Sequence, residues 1–105
     1  RGFPGDSAYA ASKSGIAGLT RALAIEFASR DITVNLVIPG LVLTEMTEGL
    51  SPKALESMRK KIPLQRYGEA DEIGEVIVWV AGSRYMTDAF IPTDGGLMSS
   101  FGILG

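Results

Sequence analysis

Tyr9 and Lys13 stand four positions apart at the head of the stretch Tyr9-Ala10-Ala11-Ser12-Lys13-Ser14-Gly15-Ile16-Ala17-Gly18-Leu19-Thr20-Arg21-Ala22. On a helix that spacing puts both side chains on one face, a single turn apart. A free tyrosine titrates near pH ~10, too high to shuttle protons readily at neutral pH. A neighbouring ammonium favours the phenolate and lowers that value. The pair therefore has the parts of a general acid/base. The bare spacing carries little information in a chain with three tyrosines and four lysines. A half-buried ring beside a solvated charge reads the same pair equally well.

The rest of the composition narrows the chemistry. The chain has 105 residues, enough for one small domain, with 46% hydrophobic and 21% charged residues. A net charge of -2 recommends neither nucleic acid nor an anionic membrane as partner. There is no cysteine, hence no disulfide framework and no thiolate chemistry. There is no histidine either, which removes Ser-His and Cys-His nucleophiles and the commonest zinc ligand, so no metal is expected. Tyrosine, lysine and carboxylates are left to move protons. No apolar run approaches the ~20 residues of a membrane span and no signal pattern appears, so a cytoplasmic location is expected. The chain opens on Arg1-Gly2-Phe3-Pro4-Gly5, a turn-rich loop without an initiating methionine, and is expected to be a piece whose front half lies upstream.

Several elements must position the pair. Asp6 or Ser7 is expected to cap a helix from about Ser7 to Ser29. Its apolar residues, Ile16, Leu19, Leu23 and Phe27 among alanines, cover more than one stripe, as in a helix buried on two sides. Gly15 and Gly18 inside it each cost about 1 kcal/mol relative to alanine and make sense beneath a closely packed helix. A core helix and a subunit interface both fit. After a turn at Arg30-Asp31, the run Ile32 to Ile38 reads as a buried parallel strand ended by Pro39-Gly40. Residues 39–50 form a loop at its carboxyl end, where open α/β sheets bind ligands, so Val42 and Thr44 could offer an amide and a hydroxyl there. An ordinary strand exit fits as well. Ser51-Pro52 caps a short helix to about Lys61, with Met46, Leu50, Leu55, Met58 and Ile62 on its apolar side. It is either a surface helix or a lid.

Residues 63–68 are a turn, and a helix from about Ala70 to Ser83 follows with Asp71 and Glu72 in its first turn. Ile73, Val76, Ile77, Val80 and Ala81 make its buried stripe, with Trp79 as packing. A short strand spans Ala89 to Thr93, with Pro92 arguing for an edge. Asp94-Gly95-Gly96 turns into an apolar tail that wants a surface. About three helices and two strands make an incomplete α/β fold, since two strands alone are marginal in water.

Three motifs carry a likeness. Tyr9-Ala-Ala-Ser-Lys13-Ser-Gly15, then Val34-Asn35-Leu-Val-Ile-Pro39-Gly40-Leu-Val-Leu-Thr44, then Asp94-Gly95-Gly96, in this order, resemble the short-chain dehydrogenase/reductase family, close to its 3-oxoacyl-carrier-protein reductase type. The resemblance implies that residues 1–105 are the C-terminal part of one such domain, in a Rossmann-like doubly wound parallel sheet. It implies an NAD- or NADP-dependent oxidoreductase moving hydride between nicotinamide and a ketone or secondary alcohol, 3-oxoacyl-thioester-like or similar. Tyr9 matches the proton donor. Lys13 matches the residue that holds the nicotinamide ribose and depresses the tyrosine pKa. Pro39, Gly40, Val42 and Thr44 match the loop on the nicotinamide carboxamide, and residues 45–62 match the substrate loop. The first helix and the final strand match faces used for homo-dimer or tetramer assembly.

The family's glycine-rich phosphate loop and its Asn-Asn-Ala-Gly segment do not occur in these residues. Its serine, about a dozen residues before the tyrosine, would lie upstream of Arg1. These residues alone are therefore expected to be inactive. Asp88 sits where the family commonly has glycine, and aspartate tolerates the left-handed region such a turn needs. Two other readings stand beside this one: a non-catalytic association module, and an epimerase or dehydratase sharing Tyr-x-x-x-Lys. The latter is weakened, because a separate substrate domain is expected after Asp94-Gly95-Gly96 and few residues follow that turn in this sequence.

Overall fold

A computed structural model describes residues 6–100, except for the side chains of Asp6, Ser7, Tyr9, Glu45 and Met46. The order is α1 (Asp6–Phe27), a 3-10 turn (Ala28–Arg30), β1 (Leu36–Pro39), α2 (Glu45–Glu48), α3 (Pro52–Arg59), α4 (Ala70–Gly82), β2 (Phe90–Thr93) and α5 (Leu97–Ser100). Among the described residues β1 and β2 form a parallel pair, Leu36 opposite Phe90 and Pro39 opposite Thr93. A parallel pair needs a long crossover, which α2, α3 and α4 supply. The expected α/β class with two parallel strands is thus observed.

The strand expected over Ile32 to Ile38 is shorter and begins at Leu36. Before that point the Asp88 amide still donates to Val34 O at 2.8 Å, and side chains supply the remaining bonds. Val34 donates its amide to Thr87 Oγ1 at 3.1 Å, and Asn35 Oδ1 accepts the Ala89 amide at 2.9 Å. The Asn35 amide group in turn donates to the Met86 carbonyl at 3.2 Å. Asn35 thus stitches the chain to the approach of β2 where regular pairing stops. β2 likewise starts at Phe90, one residue later than expected.

Asp6 and Ser7 lie inside α1 and do not precede it as caps. The last expected turn of α1 tightens to a 3-10 turn, closed by Asp31 at φ 60. The loop expected over residues 39–50 holds the short helix α2. Ser51 does cap α3, its hydroxyl accepting the Ala54 amide at 3.1 Å with Pro52 in the first turn. Asp88 takes the left-handed conformation, φ 56, as its side chain allows. Its carboxylate meets Arg21 Nε at 3.2 Å, an exposed pair worth little by itself.

Among the described residues the buried hydrophobic side chains are Ala24, Ile62 and Met98. The stripe expected on α4 is only partly covered: Ile73, Val76 and Val80 are half-buried, whereas Ile77 is 52% exposed, and Trp79, expected to pack, is 57% exposed. Helical spacing decides which residues share a face, whereas burial needs a second surface. Of the expected apolar tail, Met98 in α5 is buried, and residues 101–105 lie outside the described residues, as do 1–5.

Candidate active site

Lys13 is half-buried on α1, and its Nζ lies 4.2 Å from the centre of the Phe90 ring on β2. An ammonium over an aromatic face is attracted to the ring's negative quadrupole. Lys13 and Ile16 on one side, and Leu36 to Pro39 on the other, line a groove of about 230 Å³. The structure therefore brings Lys13 and Pro39 together across one cleft. Tyr9 belongs to α1 one turn before Lys13, and its side chain lies outside the described residues.

Beyond Pro39 the chain makes two close approaches. A Cβ built on Gly40 would stand 2.6 Å from Asp94 Cβ and 2.8 Å from Asp94 Cα, so only glycine lets the two turns meet. Next, Val42 forms an isolated parallel bridge with Gly68: the Gly68 amide donates to Leu41 O at 3.0 Å and the Leu43 amide to Gly68 O at 3.2 Å. In such a bridge the Val42 amide faces away from Gly68, and among the described residues it has no backbone partner. Thr44 takes the N-cap position of α2 and donates its own amide to Thr47 Oγ1 at 3.0 Å.

Asp94 joins these parts. Its carboxylate accepts the amides of Gly96 and Met98, both at 2.9 Å, which fixes the turn and starts α5. Gly95 and Gly96 have positive φ and press on Ile62 and Pro63, where a Gly95 Cβ would lie 2.8 Å from Ile62 Cγ2. The Leu64 amide donates to Gly95 O at 3.0 Å. Sequence reading placed the Asp94-Gly95-Gly96 turn but missed its contact with Gly40, and it missed Phe90 as the seat of Lys13. An aspartate two residues before a second glycine hints at such a turn, whereas nothing local marks Phe90.

A larger cavity of about 510 Å³ opens among Val42, Leu64, Thr93 and Gly95, with Arg66 and Glu72 in its wall. Arg66 grips the Glu72 carboxylate with two N–H groups at 3.0 and 2.9 Å. That guanidinium, with the Glu69 amide at 2.9 Å, holds the Glu72 carboxyl down at about 2. The pair satisfies its own charge and leaves the remaining walls mainly apolar.

A family model described as Enoyl-(Acyl carrier protein) reductase matches residues 1–98. The 3-oxoacyl-acyl-carrier-protein reductase FabG of Thermotoga maritima is 46% identical over 99 residues, 92% of this chain and 40% of that protein. FabG of Pseudomonas aeruginosa is 46% identical over 101 residues, 94% of this chain and 41% of that protein. Carbonyl reductase family member 4 of Danio rerio is 46% identical over 97 residues, 92% of this chain and 40% of that protein. The chain belongs to the short-chain dehydrogenase/reductase family and is 3-oxoacyl-carrier-protein reductase-like. It spans about 40% of the length of these curated relatives.

Proposed function

We propose that these residues are the C-terminal part of an NAD(P)-dependent reductase acting on a ketone or secondary alcohol, with a 3-oxoacyl thioester or a similar carbonyl compound as substrate. The observation that carries the reading is the shared cleft of Lys13 and Pro39, beside a loop whose Gly40 is held against Asp94. The residues fit the nicotinamide end of a dinucleotide: Lys13 is half-buried at the groove, and the Val42 amide is uncommitted among the described residues. Lys13 would hold the ribose hydroxyls, and Pro39, Gly40, Val42 and Thr44 would line the carboxamide side. When bound, a reduced nicotinamide supplies the hydride.

The chain's own residues do the rest. Tyr9 gives a proton to the carbonyl oxygen, and in the reverse direction its phenolate accepts one from the alcohol. The positive charge of Lys13 favours that phenolate. The Pro39 to Thr44 loop orients the ring by being held itself, through Gly40 at Asp94 and Val42 at Gly68. Homo-oligomer formation through α1 and β2 belongs to the same reading.

The test is oxidation of NADH or NADPH with a 3-oxoacyl thioester, by the product of the whole reading frame containing these residues and by the 105 residues alone. Turnover by the longer protein, with a loss of about 10²–10⁴ in Tyr9→Phe, is expected. Tight dinucleotide binding by the short chain would overturn the view that the phosphate site lies upstream, and a turnover-competent Tyr9→Phe would overturn the role of Tyr9. One observation favours the second reading, an association module: Ile16, Leu19 and Ile25 on α1 are 50%, 59% and 71% exposed. A stable oligomer by light scattering, without turnover from the longer protein, would select it.

A further inference from the structure

The segment after α3 is cross-bonded to α3 itself. Gln65 stands in the left-handed region, φ 62, which turns the chain back. Its side-chain amide donates to Ile62 O at 2.9 Å and Lys60 O at 3.2 Å, and Arg59 Nη1 donates to Gln65 O at 3.0 Å. Tyr67 then reaches back over the turn, and its hydroxyl donates to the Leu55 carbonyl, in the middle of α3, at 2.8 Å. Its ring is half-buried, so the phenol needs that partner. At the other side of the same turn, Ile62 is 1% exposed and rests on Gly95, next to the Asp94 that abuts Gly40.

We propose that Tyr67 is a positioning residue for the carbonyl substrate: its hydroxyl clasps α3 to the turn anchored on Gly95, so that α3 stands as a fixed wall of the substrate site. The proposal rests on the functional reading above and on the family resemblance, which matches residues 45–62 to the substrate loop. α3 is tied to the body at one end by the chain through α2 and at the other by the 60–68 turn, itself seated by Ile62 and by the Leu64 amide on Gly95 O. Without the clasp the turn stays seated, and the middle of α3 loses its bond to it while the Arg59 bond to Gln65 O holds the helix end. The cofactor loop is held at Asp94 and at Gly68 on the seated turn, through backbone contacts that the Tyr67 hydroxyl does not make, and keeps its place. Tyr67 therefore acts on the substrate and not on the dinucleotide.

Tyr67→Phe in the whole protein keeps the ring and removes one oxygen. Amide exchange across residues 52–59 is expected to quicken about fivefold, the scale of one net hydrogen bond, with α4 unchanged. KM for the carbonyl substrate is expected to rise by a similar factor, while kcat and KM for the dinucleotide hold. Tyr85→Phe, at a fully exposed tyrosine (104%), serves as the control and changes neither. Unchanged exchange in α3 overturns the clasp whatever the activity, and so does equal quickening of α3 and α4, which marks general loosening. An unchanged carbonyl KM in a parent that turns over overturns the positioning role. A parent that reduces no carbonyl compound overturns the functional reading and, with it, the link to substrate.

Discussion

α1 and the segment from Ser51 to Ser100 solve the same problem in opposite ways. α1 is 22 residues long, yet among its described residues only Thr20 and Ala24 are buried. The later segment is built of short helices and turns, and it seats Ile62 and Met98 at 1% exposure each. Their glycines show the contrast most sharply. Gly15 and Gly18 on α1, like Gly74 and Gly82 on α4, have nothing beyond their own helix within 4 Å of a built Cβ, whereas Gly95 in its turn meets Ile62 at 2.8 Å and Gly40 meets Asp94 at 2.6 Å. The turn-rich region supplies its own complement, and α1 offers a face whose complement is not among the described residues. The parts that hold the Pro39 to Thr44 loop in shape are thus local to the chain.

The largest expected effect is at Gly40→Ala. The new methyl meets Asp94 Cβ and Cα, which cannot rotate away, so a loss of about 1–3 kcal/mol is expected as a lower urea midpoint. An unchanged midpoint would dissolve the contrast. Gly18→Ala is expected to act the other way, raising helix stability by up to about 1 kcal/mol in the chain by itself. If the same substitution lowers the stability of the whole protein, something packs on that face, and the contrast sharpens.

The smallest effect concerns acid. The folded Glu72 carboxyl, at about 2, lies below its ordinary 4.5. A depressed carboxylate contributes stability above its unfolded value, and that contribution fades as pH falls through the folded value, here from about 4.5 towards about 2. Arg66→Met should return the Glu72 titration, followed by carboxyl carbon shifts, towards 4.5 and flatten stability across that window. A Glu72 that still titrates near its original value would show that the Glu69 amide, not the guanidinium, dominates.

What could be read from sequence was chemistry settled within a few residues. Ser51-Pro52 declares a helix start because hydroxyl and pyrrolidine act on the next turn, and Asp88 declares its left-handed turn through its own side chain. The start of β1 was misread because the β-branched run does not show that Asn35 spends its side chain on Ala89, 54 positions away, where regular pairing gives out. Trp79 was misplaced because periodicity names a face without naming its cover. At the site, the Pro39-Gly40 loop and the Asp94-Gly95-Gly96 turn were each legible by composition. Their contact was not, since a close approach leaves its mark only as two glycines whose reason lies elsewhere. Tyr67 gave no signal at all: a tyrosine in a turn looks the same whether or not a carbonyl waits above it.

The seating of Ile62 on Gly95 bears on how this scaffold can be re-engineered. A segment cut at residues 45 and 62 and exchanged for a relative's cassette would carry its own residue 62 into a mould that Gly95 has already shaped. Grafts that transfer the segment together with the Asp94-Gly95-Gly96 turn keep plug and socket from one parent, and chimeras that split them inherit a mismatch far from either splice point.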